Sequence, residues 1–159
     1  REVVVLAKAA GVPVAVDPKK RNFFAYTGVD LFKPNLKELR EGLKVDLAAN
    51  DPVAMRAAML RLEALLGNRI SLITLSEHGM LAHSGTEEVR VPAHKREIAD
   101  VSGAGDTVIA TAALCLAQGA SLRTLAGLSN LAGGLVCEHV GVVPIDRERL
   151  RAEAAAAIA

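Results

Sequence analysis

The chain has 159 residues, 51% hydrophobic and 3% aromatic, with no tryptophan and a formal net charge of +1. That length is enough for one domain with a real core. The near-neutral charge gives no case for nucleic acid or an acidic partner, and so few aromatics argue against base-stacking surfaces.

Residues 1–11 read as the tail of a helix ending at Gly11. Neither an initiator Met nor an N-cap precedes them, so the chain is expected to begin inside a longer protein. Val12 to Asp17 is a short apolar run following a helix, as expected of a buried parallel strand. Leu31 to Pro34 is a second, weaker strand, and Asn35 can cap a helix running to about Gly42. Asn50-Asp51-Pro52 starts another helix, with Met55, Leu62, Leu65 and Leu66 expected on its inner face. Residues 69–75 form the strongest strand. Met80 to His83 and Val89 to Pro92 read as a hairpin across Gly85-Thr86. A helix from Ala104 to Gln118 stops at Gly119. Ser121 caps the next, to about His139, and Asp146 caps the last, through Ala154 to Ala157.

Val108 to Ala117 is too short for a membrane span, which needs ~18 consecutive apolar residues, and no signal peptide is visible. No membrane partner is expected. Cys115 and Cys137 both lie in apolar helical runs and read as buried free thiols, with a reducing, cytoplasmic setting. His78, His83, His94 and His139 lack metal-ligand spacing and are expected at surface or structural positions. Lys95-Arg96 reads as a solvated charge pair on a loop.

Strands alternating with helices predict an α/β fold with a mostly parallel sheet. In such sheets ligands sit beyond the carboxyl ends of the strands. Asp17, Asn35, Ser76 and Asp106 each follow a strand or open a helix, so one cleft is expected to collect them.

The most informative run is Asp100-Val101-Ser102-Gly103-Ala104-Gly105-Asp106-Thr107, set directly before the apolar stretch from Val108. A helix start offers unpaired N–H groups and a positive dipole end, and glycines let a phosphate approach them. Asp106 at the same turn lets an anion pocket and a carboxylate base share one phosphoryl group, as transfer to a hydroxyl requires. Asn35 and Glu38, three apart, read equally as a capping pair.

This run resembles the second signature of the PfkB/ribokinase family of sugar kinases. Lys33-Pro34-Asn35-Leu36-Lys37-Glu38 resembles the family's Asn-x-x-Glu motif, and residues 74–80 its strand-to-turn nucleotide segment. Val16-Asp17-Pro18-Lys19, Tyr26-Thr27-Gly28, Pro34-Asn35-Leu36 and the run 100–111 are most similar to the D-glycero-D-manno-heptose 7-phosphate kinases. The resemblance spans nearly all of this chain but only the C-terminal half of a family member.

The resemblance implies a ribokinase-like three-layer α/β/α fold truncated at the N-terminus. Residues 1–159 would be the nucleotide-binding, catalytic part of one kinase domain, without its sugar-binding half and lid. It implies ATP and Mg²⁺, with Asp106 as base and the N–H groups of Gly103, Ala104 and Gly105 as an anion hole. Lys19, Asn35, Leu36, Lys37, Glu38, Ser76, Gly79 and Asn130 would serve the nucleotide, Glu38 through magnesium-bound water. Ser76 stands where many relatives have Gly. The implied substrate is a small sugar or sugar phosphate, here the heptose 7-phosphate at its anomeric hydroxyl, feeding ADP- or GDP-heptose synthesis for lipopolysaccharide. Another PfkB kinase, for ribose, fructose or a nucleoside, remains open, as does a non-catalytic nucleotide-binding fragment. A homodimer is possible in the full-length protein.

Overall fold

The computed structural model describes residues 2–158 and, among them, the side chains of residues 2–155. Five strands form one sheet in sequence order: β1 (Ala15–Val16), β2 (Leu31–Phe32), β3 (Ile70–Thr74), β4 (Met80–Ser84) and β5 (Glu87–Val91). β1, β2 and β3 run parallel, and β4 and β5 are antiparallel to their neighbours. The sheet is therefore mixed: the hairpin supplies the antiparallel half. The parallel half is what matters for ligands, because its three carboxyl ends open on one edge of the sheet.

Alternation along the strands sorts the core into two layers. Phe32, Ile73 and Leu81 face one way, onto α2 (Leu36–Leu43) and α3 (Pro52–Leu66). Leu31, Ile70, Leu72, Met80 and Ala82 face the other, onto α4 (Ala104–Ala117) and α5 (Leu122–Val136). The result is the expected three-layer α/β/α arrangement. α1 (Glu2–Ala9) precedes the sheet, and α6 (Arg147–Ile158) packs on α5.

The helix starts follow the sequence signals. Asp51 Oδ1 accepts from Ala54 N at 2.9 Å, with Pro52 in the first turn of α3. Ser121 Oγ accepts from Thr124 N at 3.1 Å, and Asp146 Oδ1 from Arg149 N at 3.0 Å.

Three expectations need correction. The first strand is shorter than residues 12–17. Pro13 lacks an N–H, and Val14 N donates to the Asp30 carboxylate at 2.9 Å, so regular pairing begins at Ala15. Leu65 is 54% exposed. The inward stripe of α3 runs Met55, Met59, Leu62, Leu66, and Leu65 sits about 100° round the helix from Leu66. Arg96 is not solvated: its side chain is 8% exposed and bonded to Glu138 at 2.6 Å and to Glu153. Two carboxylates, one in the turn after α5 and one on α6, hold its guanidinium, a long-range pairing that a loop dipeptide does not announce.

Cys115 and Cys137 are buried and free, as expected. His83 is fully buried on β4, where Nδ1 lies 2.8 Å from Glu63 Oε1.

Candidate active site

The carboxyl ends of β1, β2 and β3 bring Asp17, Lys33, Asn35 and Ser76 toward the start of α4. Asn35 makes an isolated parallel bridge with Thr74, and Thr74 N donates to Pro34 O at 3.3 Å. Lys33 N donates to Val16 O at 2.8 Å, which carries β2 alongside the Asp17 turn.

The glycine turn is built for close approach. Gly103 stands at the N-cap of α4 with φ 78°, a left-handed conformation that favours glycine, and no side chain caps the helix. A Cβ there would lie 3.0 Å from Val142 Cγ1, and one on Gly105 would lie 3.8 Å from Lys33 Nζ. Asp100 fixes the approach. Its carboxylate accepts from Ser102 N (3.0 Å), Ser102 Oγ (2.9 Å) and Gly141 N (2.9 Å). The Gly141 N–H, then those donors on Ser102, hold its carboxyl below the usual range. Asp106 follows in the first turn of α4 and is exposed.

Lys19 joins this group by charge. Its Nζ lies 3.2 Å from Asp17 Oδ2. That hydrogen bond, opposed by partial burial and aided by the charges of Asp17, Glu38 and Asp106, raises the ammonium above its ordinary value. Lys19 therefore feels the charges of Glu38 and Asp106, both distant from it in sequence, at one edge of the sheet.

A cleft of ≈ 740 Å³ adjoins the turn. Ser76 and Gly79 line it from the end of β3, Ala104 and Gly105 from α4, and Asn130 from α5. Asn130 is fixed by donating Nδ2 to Pro92 O at 2.9 Å. Small residues Gly133 and Gly134 continue the α5 wall. Ser76 adopts φ 53°. Serine in the left-handed region is uncommon, which accounts physically for glycine being expected there.

Not every expected residue lines this cleft. Lys19, Glu38, Asp106 and Gly103 stand outside it, on the neighbouring edge. Leu36 packs against the α2–α3 core, so its side chain supports the fold, and Lys37 is exposed at the first turn of α2. Asn35 and Glu38 form a reciprocal capping box, so part of each side chain is already engaged.

Sequence reading missed Lys33 and the loop residues His94, Arg96 and Ile98 that wall the cleft. Burial lowers the His94 imidazole below its ordinary value, and the Arg96 charge adds to this. No motif marks that loop. Lys33 did carry a signal, a lysine at the end of the apolar pair Leu31-Phe32 and directly before Pro34. Among the described residues, no group of three or more His, Cys, Asp or Glu side chains is placed to hold a metal. No described helix is long and apolar enough to cross a membrane.

Comparison with known proteins bears on the family and the fold. The profile of the pfkB family carbohydrate kinases matches residues 1–148. A Caulobacter sp. (strain K31) protein named bifunctional protein HldE is 46% identical over 94% of this chain and 31% of its own length. The Caulobacter vibrioides protein of that name is 44% identical over 99% of this chain and 32% of its own. The chain thus spans about a third of the length of these curated relatives. Among solved structures, phosphofructokinase-2 from Escherichia coli in complex with substrates and products superposes with a TM-score of 0.86 at 21% identity. That match covers 98% of this chain and 51% of the other.

Proposed function

The chain belongs to the pfkB family of carbohydrate kinases, and we propose that the protein carrying it transfers the γ-phosphoryl group of ATP to a sugar hydroxyl. One observation carries this reading. Asp106, exposed, stands directly beyond a glycine turn that opens α4 beside a cleft large enough for a nucleotide. The turn's N–H groups at Gly103 and Gly105 suit the oxygens of the transferring group, whereas the Ala104 N–H, expected to join them, donates to Val101 O at 3.2 Å. The Asp106 carboxylate suits the proton of the attacking hydroxyl, which it would accept and orient. Ser76, Gly79 and Asn130 would flank the nucleoside, and Lys19 would meet the phosphates as a point charge.

The residues present fit magnesium only as an ion held largely by phosphate. Glu38 spends Oε2 on its capping bond to Asn35 N, leaving its other oxygen for metal-bound water. Asn35 stands beside it, near the phosphates. One carboxylate suffices for a hard cation that keeps its waters. When bound, magnesium would neutralise charge on the phosphates as the γ-group leaves.

For the acceptor we propose D-glycero-D-manno-heptose 7-phosphate, at its anomeric hydroxyl, in the supply of activated heptose for lipopolysaccharide. Asp17-Pro18-Lys19 and the run 100–111 support this over ribose, fructose or a nucleoside. A cytoplasmic setting follows from such substrates.

The test is Asp106→Asn in the natural-length protein. ATP binding should persist while turnover falls by at least ~10², the scale of general-base catalysis. Near-wild-type turnover would remove Asp106 from the role. A panel of heptose 7-phosphate, ribose and fructose reads the acceptor, and higher kcat/KM for either plain sugar overturns the heptose assignment.

A further inference from the structure

The loop from Pro92 to Val101 walls the cleft with His94, Arg96 and Ile98, yet residues 92–98 form no regular structure. A wall without a ladder of backbone bonds keeps one shape only where it is tied down. Its two ends are tied to α5 and the C-cap of that helix. Asn130 Nδ2 donates to Pro92 O at 2.9 Å, and Ala99 N and Asp100 N donate to Cys137 O at 2.9 Å and 3.2 Å.

The middle of the loop is held by Arg96, and from farther away. Nη1 donates to Glu138 Oε1 at 2.6 Å, and Nη2 donates to Glu153 on α6. Arg149 takes the other oxygen of each carboxylate, 2.5 Å from Glu138 Oε2 and 3.1 Å from Glu153 Oε1. Two arginines and two carboxylates thus close a ring, and Arg96 is its most buried member, at 8% exposed. The Arg96 stem crosses α5 at Gly134, where a Cβ would lie 3.3 Å from Nε and 3.4 Å from Cδ. Glycine is unfavourable inside a helix, and here it leaves the room that the stem occupies. Taking a guanidinium out of water costs desolvation, so stability alone is a weak reason to keep it there.

We infer that Arg96 is a positioning residue of the cleft: through Glu138 and Glu153 it makes α6 a strut that holds the 92–101 wall in its nucleoside-binding shape. The inference rests on the kinase reading above. Glu153 is not among the residues that line the cleft. It nevertheless sets how well a nucleoside binds, because a wall already ordered does not have to be ordered by the ligand.

The test uses the natural-length protein and calorimetry with ATP and with adenosine. Glu153→Ala should weaken both ligands by the same factor, at least about fivefold, the low end of coupling between linked sites. Arg96→Gln should do at least as much, and adding Glu153→Ala to it should change little, since both cut one tie. In steady state Glu153→Ala should raise the KM for ATP by that factor while kcat stays within about twofold. Mere loss of folded protein would lower kcat and leave KM alone. Unchanged affinities in Glu153→Ala overturn the inference. So does a loss confined to ATP, which would make Arg96 a charge for phosphate. Where either variant does not fold, Arg96→Lys decides. One ammonium lacks the two-pronged grip, so both affinities should still fall, and wild-type values would overturn the strut. If the wild type binds neither ATP nor adenosine, the cleft is no nucleotide site, and the kinase reading fails together with this inference. If the wild type binds both and Glu153→Ala matches it, the strut alone is lost.

Discussion

Asn35 and Glu38 cap one another: Asn35 Oδ1 accepts from Glu38 N at 2.8 Å, and Glu38 Oε2 accepts from Asn35 N at 2.9 Å. The cap engages one oxygen of Glu38 and leaves the other open to the magnesium-bound water proposed above. Glu38→Gln separates them, because an amide oxygen can still close a capping box. Its stability should stay within about 0.5 kcal/mol of wild type, whereas Glu38→Ala should lose about 1 kcal/mol. The Gln variant should nonetheless need more magnesium for half-maximal activity. A magnesium titration that superimposes on wild type would leave Glu38 only its cap.

The second prediction concerns α6. Arg96 bonds Glu138 and Glu153, and Arg149 bonds the same two carboxylates. The Arg96 hydrogen bond is the leading cause that holds both carboxyls below the usual carboxylate range. Carboxyls depressed in the folded state stabilise it above their unfolded value and lose that contribution as pH falls through the folded one. The thermal midpoint should thus carry this contribution in full and vary little with pH near neutrality, and drop at acid pH. In Glu138→Gln the acid drop should shrink and the neutral-pH midpoint fall. Parallel acid profiles for variant and wild type would show that the network does not anchor α6.

Gly79 closes the turn between β3 and β4 with φ 82°. A Cβ there would lie 2.1 Å from Val91 O and 2.6 Å from Ala93 N, both backbone atoms that cannot swing aside. Gly79→Ala should therefore cost at least about 2 kcal/mol, combining left-handed strain with a backbone clash. Urea denaturation reads it directly. A loss below about 0.5 kcal/mol would mean that β5 yields to the methyl group.

How far the sequence speaks depends on the range of the interaction. Asn35, Asp51, Ser121 and Asp146 were legible as caps because a cap is decided within about four residues. The glycine turn at 103–105 was legible for the same reason, since a left-handed helix entry selects its own residue. The exposed face of α3 was misread at Leu65 because Leu65 and Leu66 both fit an apolar stripe until the sheet fixes the helix phase. Lys33 and Arg96 escaped because their partners, Asp17 for one and Glu138 with Glu153 for the other, arrive from distant segments. Ser76 departs from the motif it resembles, and its left-handed backbone, φ 53°, is the physical reason that the motif favours glycine there.

The last prediction concerns the 159-residue chain by itself. It should fold as an α/β unit, since caps, turns and both core layers agree with one another. It should phosphorylate no sugar at a useful rate. The described cleft gathers groups suited to a nucleotide and its phosphates, and positioning the acceptor supplies much of the barrier reduction in phosphoryl transfer. The chain covers only 51% of phosphofructokinase-2, so such a fold has room elsewhere for acceptor contacts. Its own surface points the same way. Val3, Val5 and Leu6 on α1 are 76%, 66% and 68% exposed, and β1 is an edge strand with one neighbour among the described residues. Uncovered edges invite pairing with other chains, so some aggregation of the purified chain is expected. The assay supplies ATP, Mg²⁺ and heptose 7-phosphate, ribose or fructose, with ATP binding measured in parallel. Binding without transfer is the expected result. Robust turnover on any of the three would place a complete acceptor site within residues 1–159.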